Sequence, residues 1–477
     1  MRIEETIDAA ATSTPEKIAL SFGHRHWTYR QLREERDRRA GVLIEAGLGV
    51  GDRVICAERV SDDYIITVLA CCRAGLVFAG LSSLLTTTEL EALAARIAPH
   101  LALTQAGATA DCLPAPCTLP LALPGTPSSD AVAVGAARSA AGNADDPALI
   151  RPTSSTTTAR PKLVLRPHRS ATWIGANDPA PITALSVCCC TATTLFRPVE
   201  VCQTFVAGAT LTFPEAIGVG SLDEELASQG ATILYTTPAA LTVLARQTQP
   251  PPAELRLAHI GTIGAVLPTT IKDAIVARYR ATVFEEYGLS ECTSITTTLG
   301  IAAPAGSIGL PNAGVAVRIV DDAGQPLPAA IVGELAVHSP GLMLRYLDDA
   351  ATTAAVMRDG WLYTGDRAWR GADGYYYLAG RRGLLINVGG FKVAPEEVEA
   401  ILLGHPRVRE AVVLAQVDTV RGEVVRAIIV PDGEPPTVQE LRLFCRKQLA
   451  SYKVPRLIEF RSSLPRSALG KVLRHAL

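Results

Sequence analysis

The chain has 477 residues, more than one hydrophobic core supports, so at least two domains are expected. Apolar residues make up 48% and charged residues 19%, which is ordinary soluble composition. The 45 basic and 47 acidic side chains leave a net charge of −2, so neither nucleic acid nor a membrane is expected as partner.

The opening MRIEETIDAAATSTPEKIAL lacks a basic start followed by an apolar core, so no signal peptide is expected. The apolar runs are too short to span a membrane. The 11 cysteines are odd in number and carry no secretion signal, which points to a reduced, cytoplasmic location. Cys188, Cys189 and Cys190 are consecutive. Neighbours on a strand face opposite ways, so the three are read as small buried hydrophobes, not as a metal site.

In chain order, WTYRQLREERDRRAGVLIEAGLG has Thr28 and Gln31 at capping-box spacing and predicts a helix ending near Gly47. DRVICAE follows as a strand, and DDYIITVLACCRAGLVFAGL as a helix running into a strand, which is α/β alternation. Residues 105 to 148, rich in Ala, Pro, Gly and Ser, read as an irregular, exposed excursion. The α/β pattern resumes from about 171 to 290, with strands at ATILYTT, LRLAHIGTIG and TVFEEYG. From about 305 the texture turns to β with turns, in VAVRIVDDAGQPLP, GELAVHS and GYYYLAG. Beyond Arg381 a smaller α+β unit is expected. Pro395 opens one helix, REAVVLA and RAIIVPDG read as strands, and Thr437 with Glu440 caps a last helix.

Five stretches carry chemistry. TSSTTTARPK supplies the hydroxyls of Ser154, Ser155, Thr156, Thr157 and Thr158 and the charge of Lys162, the kind of groups that surround a phosphate. A polar surface turn accounts for it equally well. In EEYGLSECT, Tyr287 would stack on a base, Ser290 would bond a phosphate, and Glu291 would hold Mg²⁺; the plainer reading is a strand end with a solvated acid. In WLYTGDRAW, a Gly-Asp turn after a strand would offer Asp366 to two ribose hydroxyls, unless Asp366 merely caps its own backbone. GRRGLLINVGGFKVAPEEVE sets Arg381 at the change of texture, as a hinge residue would be, and Gly389 and Gly390 leave room for a thin ligand; an interdomain turn and hairpin is the alternative. In LPRSALGKVLRHAL, Lys471 follows a glycine, or the stretch is a frayed basic tail.

Order and spacing together make these stretches specific. With STPEKIAL and the WTYRQL helix, the chain resembles, over nearly its whole length, the adenylate-forming superfamily of acyl-CoA synthetases, carrier-loading adenylation domains and luciferases. The resemblance implies an α/β fold: a large N-terminal domain of two α/β sheets plus a distorted β-barrel, and a small mobile α+β C-terminal domain. Boundaries at 1–380 and 381–477 follow, with a hinge near 381–383. It implies two steps: a carboxylate and MgATP give acyl-AMP and pyrophosphate, then a thiol displaces AMP. ATP or acyl-AMP, Mg²⁺ and coenzyme A are the expected ligands. By position, Tyr287 would stack on adenine, Glu291 would bind Mg²⁺, Asp366 and Arg381 would reach the ribose or phosphate, and Lys471 would bridge the carboxylate and α-phosphate. Gly264, Ala265, Glu286, Gly288 and Tyr377 would complete the nucleotide site, and Gly389 and Gly390 would line the pantetheine tunnel. Arg197, Tyr235, Thr262, Ile263 and Cys292 would line the acyl pocket. Thr262, Ile263 and Gly264 leave space, which favours a bulky aryl or alicyclic acid.

The sequence departs from the family pattern in three places. The family's phosphate loop usually reads S-G-T-T-G-x-P-K-G. Aligned on Pro161-Lys162, its glycines fall at Thr156, Ala159 and Leu163. A side chain held in a left-handed conformation there costs about 1–2 kcal/mol per residue. Gly383 stands where the hinge usually carries Asp or Lys. Arg197 stands where synthetases often have His and amino-acid-activating domains have Asp, so no acid binds an α-ammonium; the arginine would pair with Glu200 or reach an anionic substrate group. Two readings of the loop follow: its hydroxyls and Lys162 hold ATP without glycine and adenylation runs, though slowly, or adenylation is impaired and preformed acyl-AMP from a separate adenylating enzyme is the substrate for thioester formation. A carrier-protein phosphopantetheine is the alternative acceptor, although GGFKVAPEEVE is closer to the coumarate-ligase-like branch. A non-catalytic nucleotide sensor is the third reading.

Overall fold

The computed structural model describes residues 1–83, 85, 87–104, 118–153, 161–177, 182–190, 198–214, 222–264, 267–381, 386–388, 391–393, 395–418, 422–449, 451–466 and 472–477. Among these, strands up to Arg381 form three sheets, and those from Ile386 form a fourth.

The first sheet has nine described strands, in the order Leu310–Pro311, Ser294–Thr297, Thr282–Gly288, His259–Ile263, Ile233–Thr236, Val187–Cys190, Thr210–Phe213, Ile18–Phe22 and Arg25–Thr28. Its middle is parallel. Parallel strands are covered on both faces, which explains the continuous apolar run at Cys188, Cys189 and Cys190. All three are buried, and burial pushes the Cys188 thiol up to about 12, far from a reactive thiolate.

The second sheet has seven, in the order Arg345–Tyr346, Leu163–Pro167, Pro147–Pro152, Val77–Gly80, Arg53–Cys56, Leu101–Thr104 and Thr118–Pro120. The main core lies between these sheets, around the helices Tyr29–Glu45 and Asp62–Arg73. The first of these helices starts as its sequence dictates: Thr28 accepts from Gln31 N, and the Gln31 side chain accepts from Thr28 N.

The third sheet is antiparallel. It joins Ala316–Val320, Gly333–His338, Trp361–Arg370 and Met357–Arg358, with Tyr376–Arg381 on the other edge of Trp361–Arg370. The fourth holds the hairpin Val408–Asp418 with Gly422–Pro431, flanked by Ile386–Val388, Phe391–Val393 and Leu457–Phe460. The helices Pro395–Leu403 and Val438–Arg446 accompany it, the second capped by Thr437. This is the α/β architecture expected.

Two local expectations are corrected. The stretch read as irregular from 105 to 148 contains a 13-residue helix, Ser129–Ala141, and strands at Thr118–Pro120 and from Pro147; residues 105–117 lie outside the described residues. Ser128 caps the helix, its alanines are strong helix formers, and it packs on Tyr29–Glu45, where Gly41 leaves room for Pro127. Nor is Gly365-Asp366 a turn. It lies inside the Trp361–Arg370 strand, at an irregularity in the pairing with Gly333–His338. Gly365 takes φ +76°, and its N–H donates to Glu334 Oε1 at 3.0 Å.

Candidate active site

The site begins with the hairpin of Pro147–Pro152 and Leu163–Pro167. Thr153 N donates to Lys162 O at 2.8 Å, and Lys162 N donates to Thr153 Oγ1 at 3.1 Å. These bonds close the stem of the hydroxyl-rich loop. Ser154, Ser155, Thr156, Thr157 and Thr158 lie outside the described residues, as do Arg197, Ala265, Gly389, Gly390 and Lys471.

Lys162 Nζ stands over the ring of Tyr346, 4.8 Å from its centre. The Tyr346 hydroxyl donates to Glu291 Oε1 at 2.7 Å. Tyr346 thus links the cation at the loop to the carboxylate expected to hold a metal. Sequence reasoning missed it. LRYLDD offers no motif, and Tyr346 reaches the site only because Arg345–Tyr346 adds an edge strand beside Leu163–Pro167. Met343 N donates to Glu291 O at 2.8 Å, which fixes the acid's backbone as well. Oxygen from a carboxylate is the donor Mg²⁺ takes, and Glu291 with Lys162 fits a metal–phosphate group.

The second centre lies where the third sheet meets the end of the Thr282–Gly288 strand. The Tyr287 hydroxyl donates to Asp366 Oδ2 at 2.6 Å. Asp366 pairs in register with Arg381 on the neighbouring strand, and Asp366 N donates to Thr364 Oγ1. The Tyr287 and Asp366 side chains therefore meet, with the backbone of Arg381 on the strand alongside. Gly288 must be glycine: a Cβ there would lie 1.9 Å from Thr293 O, inside the tight return through 289–293. Gly264 follows the His259–Ile263 strand at φ +102°, and a Cβ would meet nothing within 4 Å. Gly264 is exposed there, and its positive φ is what glycine supplies. Glu286 pairs with Ile263 and Thr297. Ser290 is half-buried in the same return.

Tyr377 sits elsewhere. Its ring stacks on Trp369 at 5.0 Å and its hydroxyl donates to Asp373 Oδ2 at 2.7 Å, a bond that pushes the phenol up from its ordinary value. Of the residues expected at the acyl pocket, Tyr235 is buried in the main core with its ring against the edge of Phe284. Gly261, whose Cβ would strike both rings, permits that packing. Thr262 is buried, and its Oγ1 has no hydrogen-bond partner among the described residues. Ile263 is half-buried at the same strand end. Cys292 is fully buried, and burial pushes its thiol up to about 12, so it serves as wall and not as nucleophile.

The model of the AMP-binding enzyme family matches residues 7–347, and that of the AMP-binding enzyme C-terminal domain matches residues 397–471. The chain belongs to the AMP-binding enzyme family. A feruloyl-CoA synthase of Amycolatopsis is 31% identical, over 97% of this chain and 96% of its own. MatB from Rhodopseudomonas palustris, solved with ATP bound, superposes with a TM-score of 0.88 at 26% identity, covering 100% of this chain and 98% of that one. The o-succinylbenzoate coenzyme A synthetase of Bacillus subtilis, solved with ATP and magnesium, gives 0.87 at 25% identity, covering 99% and 98%. The expectations of an acid–thiol ligase, of ATP and Mg²⁺ as ligands and of CoA as thiol agree with these members of the family. Among the described residues no helix is long and apolar enough to cross a membrane.

Proposed function

We propose that this AMP-binding enzyme joins a carboxylic acid to coenzyme A through an acyl-AMP, and that its adenylation step is slow. The observation that carries the reading is the Tyr287–Asp366 bond, with the Arg381 backbone paired to Asp366, together with the Lys162–Tyr346–Glu291 chain. The first group suits an adenosine monophosphate. The second suits the metal and the phosphates that leave.

Each residue has a chemical task in this reading. Tyr287 lays its ring on adenine while Asp366 accepts from the ribose. Mg²⁺, when bound at Glu291, supplies charge neutralisation on the phosphates. Lys162 adds a second cation there. Lys471 bridges the carboxylate and α-phosphate and lowers the cost of the charge that builds as the acyl oxygen attacks phosphorus. Pyrophosphate leaves. The CoA sulfur then attacks the acyl carbon, and AMP departs with the bond pair. Residues 1–380 bind nucleotide and acid; residues 381–477 turn about 381–383 between steps, in the cytoplasm.

The loop weakens only the first step. Thr156, Ala159 and Leu163 stand at the glycine positions of the family loop, whereas the AMP residues are kept. Acyl-AMP from a separate adenylating enzyme then becomes a competent substrate. Space left at Thr262, Ile263 and Gly264 favours a bulky aryl or alicyclic acid, and Arg197 in place of an acid disfavours an α-amino acid. A carrier-protein pantetheine arm remains the second acceptor, since its reacting thiol has the same chemistry.

The deciding experiment compares CoA thioester formation from a synthetic aryl acyl-AMP with pyrophosphate release from ATP across aryl and alicyclic acids. Thioester with little pyrophosphate supports the reading. Thr156→Gly with Ala159→Gly should then raise pyrophosphate release by roughly tenfold per position. No thioester from either route overturns it and leaves a nucleotide-binding relative.

A further inference from the structure

Three helices bring a carboxylate, a thiol and an imidazole together in the protein interior, and the ligase reading uses none of them. Glu4 lies in the first turn of the short 3-10 helix Ile3–Ile7, Cys72 in the last turn of Asp62–Arg73, and His168 directly before Arg169–Asn177. Glu4 and Cys72 are 0% exposed and His168 is 1% exposed. One donor atom from each lies within 4.8 Å of the other two.

The pairing inside this cluster is incomplete. Ile3 N donates to His168 Nδ1 at 3.2 Å, so Nδ1 is the ring nitrogen without a proton and offers a lone pair. Glu4 Oε2 lies 3.5 Å from that nitrogen and has no hydrogen-bond partner among the described residues. Two acceptors thus face each other with no proton between them. Glu4 Oε1 is satisfied, accepting from Arg2 Nε at 2.7 Å and from Ser139 Oγ at 2.8 Å, so the carboxylate is fixed with its second oxygen toward His168. A buried acceptor left over in this way calls for a cation.

We propose that Glu4, Cys72 and His168 bind one zinc ion through Oε2, Sγ and Nδ1, with the fourth position left to water. Zinc holds its ligands at about 2.0–2.3 Å in a tetrahedron, which sets nitrogen and oxygen about 3.4 Å apart. Nδ1 and Oε2 already stand at 3.5 Å. The thiol has to close from within 4.8 Å to about 3.6 Å. Sulfur beside imidazole selects zinc over Mg²⁺ and Ca²⁺, which take oxygen. Charge also balances. Arg2 is paired with both Glu4 and Asp146, two carboxylates against one guanidinium. As the S–Zn bond forms, the Cys72 proton passes to solvent, and the dication meets the thiolate and the surplus carboxylate. Zinc takes the lone pair that Ile3 N now uses, exchanging one long hydrogen bond for three metal bonds. The ion fastens Ile3–Ile7 to the end of Asp62–Arg73 and to the start of Arg169–Asn177, so its role is to hold the fold and not to act in the ligase chemistry.

The test uses the full-length protein, stripped with chelator, incubated with excess Mg²⁺ and limiting zinc, and desalted. Elemental analysis is expected to return one zinc per chain, and zinc should raise the thermal midpoint of the stripped protein. Cobalt in place of zinc should show a thiolate-to-cobalt charge-transfer band. Calorimetry in buffers of different ionisation enthalpy should count about one proton released on binding. In the stripped protein Nδ1 is open to a proton instead, so zinc and acid compete for His168. Cys72→Ser keeps the shape and removes the thiol. It should abolish the band and weaken zinc by more than about a hundredfold, and His168→Gln should weaken zinc as much. No zinc retained by the unaltered protein overturns the proposal, whether or not the variants fold. So does cobalt bound without the thiolate band, or zinc held equally well by folded Cys72→Ser, either of which would place the ion on surface histidines or on another cysteine.

Discussion

The Tyr287 hydroxyl donates to Asp366 Oδ2 at 2.6 Å, tying the nine-stranded sheet to the central strand of the third sheet. The two residues are 79 apart in sequence. The bond orients the carboxylate and holds the ring at a fixed tilt, so it should matter to a nucleotide that touches both. Tyr287→Phe keeps the ring and removes the donor. AMP affinity is expected to fall by about tenfold, and Asp366→Ala should cost about a hundredfold, as for hydrogen bonds to charged groups. Titration of AMP by calorimetry checks this, and unchanged binding in both variants would place the nucleotide elsewhere.

Tyr346 makes two contacts that separate variants can divide. Tyr346→Phe loses the bond to Glu291 but keeps the ring under Lys162. It should raise the Mg²⁺ concentration needed for half-maximal pyrophosphate release several-fold, with a smaller effect on turnover at saturating Mg²⁺. Tyr346→Ala should lower both. A Mg²⁺ titration of the two variants in which neither shifts would show that the Tyr346–Glu291 bond has no part in metal binding.

His168 supplies a pH dependence of stability. Its Nδ1 accepts from Ile3 N at 3.2 Å in a buried site beside Glu4, and burial, then Arg2, push its pKa from 6.5 down to about 3. The unfolded chain therefore takes up this proton first. The stabilising contribution is complete above about pH 6.5 and is lost as the pH falls toward 3, by about 1.4 kcal/mol per pH unit. His168→Gln should flatten the fall in thermal midpoint between neutral pH and mild acid. A midpoint that drops equally steeply in the variant would assign the acid sensitivity to other groups.

Gly288→Ala tests the tight return behind Tyr287. The added methyl would sit 1.9 Å from Thr293 O, a backbone atom that cannot swing aside. A loss of about 1–3 kcal/mol in stability and weakened AMP binding are expected together. Denaturant midpoints and AMP titration read the two effects, and a variant matching the parent in both would show that 289–293 yields easily.

Much of this architecture was legible from local signals. Thr28 with Gln31 and Thr437 with Glu440 start helices where their spacing says. The apolar strands and the change to β texture after about 305 follow from side-chain alternation and turn residues. Ser129–Ala141 escaped because its alanines and glycine sit among Pro and Ser, and its burial depends on the sequence-distant helix Tyr29–Glu45, brought alongside only by folding. Gly365-Asp366 reads as a turn by composition; that it stays in a strand depends on Glu334, brought alongside by sheet pairing.

The sequence by itself determined the family, the order of the chemical stretches and the absence of glycine from Thr153 to His168. Those are matters of residue type and spacing, which no fold can alter. Tertiary structure alone decided that Asp366 meets Tyr287 and that Tyr346 joins Lys162 to Glu291. The physical reason is range. Caps and periodicity act within a few residues of one another, whereas these contacts are set by strand order and register between segments far apart in the chain.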